Sequence, residues 1–130
     1  MVQEISVRLL PESFTLSRLP QFAELPLIIS RGEMCFTFRT DEEFSIICPD
    51  FMAPANVQQE TDFRGLKLEE SINWSSIGVA TQLTQPLAQI GVPILMVATH
   101  SSCIIFIKED KLIDATKALQ HAGIKFVHKE

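Results

Sequence analysis

GVPILMVATHSSCIIFIKEDKL, residues 91–112, is the stretch whose reading decides the fold. Two apolar, strand-like runs, VPILMVA at 92–98 and CIIFIK at 103–108, meet at the polar tetrapeptide Thr99-His100-Ser101-Ser102. A connection this short predicts a hairpin. The tetrapeptide also sets His100 just ahead of Cys103, so three readings stand side by side. It is a plain turn, a nucleophile with its base, or the rim of a ligand pocket. The near-continuous apolar character of 92–98 asks for cover on both sheet faces. Pro93 cannot donate to a ladder, which predicts a strand that begins at an exposed edge.

On the N-terminal side, SIGVATQLTQPLAQI at 76–90 places Val79, Leu83, Leu87 and Ile90 at helical spacing. Ser75 or Ser76 is the expected cap, because a hydroxyl there can accept from free backbone N–H groups. Pro86 is expected to kink this helix near Gln82, and Gly91 fits the left-handed position beyond its end. LKL at 66–68 reads as a strand. On the C-terminal side, Glu109 and Asp110 suit the positive end of a helix over 110–122. Leu112, Ala115, Leu119 and Ala122 form its apolar face, Gly123 stops it, and IKFV at 124–127 is a last strand. Strand, helix, strand, strand, helix, strand is the ferredoxin-like βαββαβ unit of the α+β class. It predicts a four-stranded antiparallel sheet with helices on one face, and the other face needs cover.

The N-terminal half offers that cover. ISVRLL, FTLSRL after a turn at Pro11, MCFTFR, and EFSIICP after a turn at Asp41-Glu42 read as four strands. PQFAELPLIIS and DFMAPANVQQE are interrupted by Pro26 and Pro54, so they hold short helices at most. Residues 1–62 therefore read as a reduced version of the same unit, and 63–130 as the full one.

The 130 residues are 46% hydrophobic and 21% charged, a globular composition. No run reaches the roughly 18 apolar residues of a membrane span, and MVQEISVRLL is not a signal peptide. A cytoplasmic protein without membrane contact is expected. The net charge of −5 is unevenly placed: residues 1–62 carry ten acidic and four basic residues, residues 63–130 six acidic and seven basic. The basic residues form no cluster, which argues against nucleic acid. Cys35, Cys48 and Cys103 are far apart without a CxxC, so they read as free, buried small hydrophobes and not as metal ligands. His121 and His128 lack the company a metal site needs. The glycines form no phosphate loop, and neither a metal nor a cofactor is expected. No third residue orients His100 against Cys103, whose neighbours Ile104, Ile105 and Phe106 predict a buried thiol. Catalysis is not expected. Trp74, the single tryptophan, reads as packing at the junction of the two halves or as one wall of a ligand site.

FTLSRLP at 14–20, TFRTDEEFSIICPD at 37–50 and the segment from Phe63 to Ile124 together resemble the small bacterial tandem ACT-domain proteins. These are themselves similar to the ACT repeats of the eukaryotic cytosolic arginine sensor. The Arg39-Thr40-Asp41 pattern, the serine-rich loop before Gly78 and GVPILMVAT carry the resemblance. It implies two ACT-like units with the N-terminal one reduced, regulation and small-molecule binding in place of catalysis, and a tendency to form a homodimer. It implies a site between the halves, with Ser75, Ser76, Ile77 and Gly78 on one side and Thr99, His100 and Ser101 on the other. A helix start with free N–H donors suits a carboxylate. Relatives carry acidic residues where this chain has His100, Ser101, Ser102 and Cys103. A ligand's ammonium group needs a charged or well-oriented acceptor. The expected effector is therefore a small anion or neutral polar molecule ahead of a free amino acid. The alternative is an ACT-fold interaction protein that has lost its ligand.

Overall fold

The computed structural model describes residues 4–73 and 75–128. Its strands are β1 (Ser6–Pro20), β2 (Phe36–Arg39), β3 (Glu43–Pro49), β4 (Gln58–Leu68), β5 (Leu95–Ala98), β6 (Cys103–Lys108) and β7 (Lys125–Val127). Its helices are α1 (Leu27–Ser30), α2 (Val79–Gln89) and α3 (Leu112–His121), with 3-10 turns at Asp50–Met52 and Glu109–Lys111. The chain divides into two compact units: residues up to Pro11 join those from Arg64 onward, and Glu12–Phe63 form the other.

In the first unit, β6 and β5 form the expected hairpin, with Leu95 opposite Phe106 and Ala98 opposite Cys103. Strand neighbours run β7, β1, β4, β6, β5. Period-two residues Ile5 and Val7, Leu66 and Leu68, and Cys103, Ile105 and Ile107 pack with Val79, Leu83 and Leu87 of α2 and Ala115 and Leu119 of α3. Strand and helical spacings thus meet in one core. Both helices end alike. Gly91 and Gly123 adopt φ of +74° and +93°, and Val92 N–H donates to the Leu87 carbonyl at 3.0 Å as Ile124 N–H does to Leu119. These are Schellman stops, after which Val92 and Ile124 return to the core.

Several expectations change. The sheet of this unit is not four antiparallel strands, because β1 is an added strand and β7 pairs with it in parallel, Ser6 opposite Lys125 and Arg8 opposite Val127. Alternation in IKFV fixes a strand but not its partner. Pro11 makes no turn, and β1 runs straight through it. On one side β1 pairs with β7 over residues 6–8 and with β3 over 14–20, and on that side Pro11 falls between the two ladders, where a missing donor costs little. Helix α2 begins at Val79, after Gly78, and neither Ser75 nor Ser76 caps it. It continues to Gln89 with Pro86 inside it.

In the second unit, β1 lies antiparallel to β3, which pairs with β2 from Phe36 opposite Ile47 to Arg39 opposite Phe44. Leu19, Ile29, Phe44, Ile46 and Cys48 are its core, flanked by Cys35, Met52 and Val57. Its only helical segments are α1 and the turn at 50–52, both bounded by prolines. The Arg39-Thr40-Asp41 motif builds the β2–β3 turn. The Thr40 hydroxyl accepts from Glu42 and Glu43 N–H at 3.2 Å. Arg39 donates to the Gln21 and Ala23 carbonyls and lies 4.1 Å above the Phe44 ring.

Because Ile5 and Val7 are 2% and 1% exposed, a fragment of residues 63–130 forfeits roughly 1.5–3 kcal/mol for each of them and leaves β7 without its partner. Such a fragment should show no cooperative thermal transition by circular dichroism. A sharp, reversible transition would show that β1 is dispensable.

Candidate functional site

The loop between β4 and α2 is built around Asn73. Its side-chain oxygen accepts from the Ser75 backbone N–H at 2.9 Å and the Ser75 hydroxyl at 2.6 Å. Its own N–H donates to the Ser76 hydroxyl oxygen at 3.2 Å, and Ser76 N–H returns to the Asn73 carbonyl at 3.0 Å. This is why the serines do not cap α2: Asn73 holds them in a closed turn. Gly78 takes the cap position at φ +81°, with open space where a side chain would stand. The first helical bond runs from Gln82 N–H to the Gly78 carbonyl at 3.0 Å, so the amides of Val79, Ala80 and Thr81 precede the ladder. Ile77 is 95% exposed.

The β5–β6 turn is equally self-contained. Thr99 N–H donates to the Ser102 carbonyl at 2.9 Å, and the Thr99 hydroxyl accepts from Ser102 N–H at 3.0 Å. Ser102 donates its hydroxyl to the Leu68 carbonyl at 3.0 Å. Ile72 N–H donates to the Ser101 carbonyl at 2.8 Å. These two bonds join the turn to the end of β4 and the loop after it. His100 Nδ1 lies 3.2 Å from the Ser101 hydroxyl. Ser75, Ser76, Ile77, Gly78, Thr99, His100 and Ser101 are all exposed. Trp74 lies outside the described residues.

Asn73 had no place in the sequence reading, although an Asn two residues before a serine is a recognisable turn signal, and Ser102 was read as part of the polar tetrapeptide but not among the binding residues. A further feature was missed. A surface groove of about 640 Å³ lies where the end of α2 faces α3, with Pro86, Ile90, Val92 and Ala118 along it and Lys111, Asp114, Lys117 and His121 around it. It is at the opposite end of α2 from Gly78. Among the described residues no group of three or more His, Cys, Asp or Glu could hold a metal ion, and no helix is long and apolar enough to cross a membrane.

The Cys/His reading fails on geometry. Cys103 is 3% exposed and belongs to the core between sheet and helices, whereas His100 is on the surface beside Ser101. Burial pushes the Cys103 thiol up, against a smaller opposing effect from Lys67, so the nucleophilic thiolate is disfavoured. In the folded protein at neutral pH, iodoacetamide should leave Cys103 unmodified and should label it once urea unfolds the chain. Stoichiometric labelling of native Cys103 within minutes, read by peptide mass spectrometry, would overturn this.

Residues 58–121 match the family model of the ACT domain. A protein of Agobacterium tumefaciens has a similar structure at a TM-score of 0.90 and 22% identity, covering 99% of this chain and 96% of that one. A Vibrio cholerae protein of unknown function, described as a possible transport protein, follows at 0.74 and 19%, covering 92% and 91%. The ligand-free regulatory subunit of aspartate kinase from Thermus thermophilus gives 0.64 and 13%, covering 92% and 99%. No curated protein sequence matches. The likeness to the solved structures is one of fold. Together with the βαββαβ order of β4, α2, β5, β6, α3 and β7, the family match identifies residues 58–121 as an ACT domain, a domain type that is typically regulatory and binds small molecules.

Proposed function

We propose that this chain is a non-catalytic regulatory protein whose ACT domain senses a small anion or a neutral polar metabolite. Its binding element is the loop Ser75–Gly78 with the turn Thr99–Ser101. The observation that carries the reading is the bare start of α2. The amides of Val79, Ala80 and Thr81 precede the helical ladder; among the described residues no side-chain cap bond is made at this helix start and nothing stands within 4 Å of the Gly78 side-chain position. The positive end of a helix favours an anion by about 0.3–1 kcal/mol at an exposed site. The hydroxyls of Ser75 and Thr99 are engaged within their own turns, so backbone groups dominate recognition.

A thermal-shift panel of the twenty amino acids, phosphate, sulfate and short dicarboxylates tests this. A true ligand at about a hundred times its dissociation constant adds about 2.7 kcal/mol of stability. Ile77→Glu places a negative charge at the exposed loop and should weaken anion binding about fivefold, the effect of about 1 kcal/mol of repulsion. The fold should tolerate it, since an acid near a helix start is not unfavourable. If nothing in the panel shifts the transition, the alternative gains: an ACT-fold interaction protein without a ligand, for which the closed Asn73 and Thr99 turns already speak.

A homodimer belongs to the same proposal. β5 ends the order of paired strands, and an edge strand offers backbone groups for another chain to meet. Sedimentation equilibrium at high protein concentration should give twice the 14.6 kDa of one chain. A single species of 14.6 kDa would remove the dimer.

A further inference from the structure

Two of the three cysteines converge at one end of the core of unit 12–63. Cys48 lies in β3, fully buried, and Cys35 is the residue before β2. The β2–β3 register pairs Phe36 with Ile47 and Arg39 with Phe44; continued one residue beyond the end of β2, it sets Cys35 opposite Cys48. Directly opposed residues on antiparallel strands turn their side chains to the same face. Both cysteines accordingly belong to one cluster, Cys48 in its interior and Cys35 packed against it. Opposed Cα atoms in such a pair stand about 4.5–5.5 Å apart, within the roughly 4.4–6.8 Å that a disulfide spans.

The approach to Cys35 is tightly shaped. Met34 holds φ at +54°, a turn conformation that is uncommon for a residue with a side chain. A side-chain carbon at Gly32 would lie 2.5 Å from Cys35 Sγ. The Cys35 thiol touches Met52 Sδ at 3.6 Å and the Glu33 carbonyl at 3.5 Å. Cys35 is half-buried and Cys48 is not exposed at all, so an external reagent meets Cys35 first. Burial, with Cys35 and Asp50 nearby, pushes the Cys48 thiol up to about 11. Burial raises the Cys35 thiol as well, so neither cysteine is an activated thiolate, and exchange at this pair is slow at neutral pH and faster as pH rises. The apolar cluster accepts the neutral disulfide once it forms.

We propose that Cys35 and Cys48 are a reversible oxidation site that forms a cross-strand disulfide with a small-molecule disulfide as oxidant. The Cys35 thiolate attacks one sulfur of the small disulfide. Its S–S bond breaks, and the departing thiolate takes up the proton lost by Cys35. Cys48, held against Cys35 by the strand register, then gives up its proton and attacks Cys35 Sγ, breaking the mixed disulfide; the departing second small thiolate takes up that proton. Two protein thiols lose two electrons and two protons, and one small disulfide becomes two thiols.

The test treats the full-length native chain with glutathione disulfide, quenches with acid and maps peptides without reduction. The expected result is a Cys35–Cys48 link at least about a hundredfold more abundant than any link to Cys103, well above the roughly tenfold bias that loop closure alone gives the shorter separation in urea. Cys48→Ala should stop the native reaction at a glutathione adduct on Cys35, and Cys35→Ser should leave Cys48 reduced. Dithiothreitol should restore both thiols. The proposal fails if native wild-type protein accumulates only the Cys35 adduct with Cys48 still a free thiol. It fails equally if the three possible links form in the same proportions as in urea.

Discussion

The parallel pairing of Ser6–Arg8 with Lys125–Val127 is the constraint on which the ACT unit depends. It is a short ladder, and alone it would be weak, but the surrounding groups fix it from the other side. Glu69 N–H donates to the Ser6 carbonyl at 3.0 Å, and the Glu70 carboxylate accepts from both the Ser6 backbone N–H and its hydroxyl. Arg8 meets Glu69 at 3.0 Å, with both side chains mostly withdrawn from solvent. Lys125 pairs with Glu4 at the fully exposed rim, where an ion pair adds little. Held on two sides, β1 can place Ile5 and Val7 under the helices. The buried row from Ile5 to Ile107 then has no gap between β7 and β4.

That row explains which chemistry the unit supports. The strand face that carries Cys103, Ile105 and Ile107 is committed to packing against α2 and α3, which takes the thiol away from His100. What stays at the surface is backbone: the turn at 99–102, the loop after β4 and the unladdered amides at the start of α2. Under the proposed function, recognition there relies on shape and on hydrogen bonds to fixed main-chain groups.

Much of this was legible because it is local. CIIFIK fixed β6 to the residue, the polar tetrapeptide fixed the hairpin, and Gly91 and Gly123 fixed where both helices stop. Partner choice was not legible, since IKFV alternates identically whether it faces β4 or β1. Pro11 misled for a related reason. A proline breaks a strand only where its N–H is wanted, and whether it is wanted depends on a neighbour distant in sequence. In the loop, the residue types were readable but their commitments were not. Ser75 and Ser76 are good caps in isolation, and Asn73 claims them first. The groove beside α3 escaped notice because Lys111, Asp114, Lys117 and His121 read as an ordinary solvated helix face.

The separation between the two ends of the β1–β7 ladder has a consequence for synthesis. Residues 6–8 emerge from the ribosome well over a hundred residues before their partners at 125–127. At cellular elongation rates that interval is on the order of ten seconds, long compared with the microseconds in which a hairpin such as β5–β6 closes. Throughout it, Ile5 and Val7 have neither β7 beside them nor α3 above them. The nascent chain must keep this apolar segment from pairing elsewhere until residues 125–127 have emerged. The ACT unit thus assembles only after that long wait, whereas the β2–β3 hairpin of the inserted segment can form as soon as Pro49 has left the tunnel.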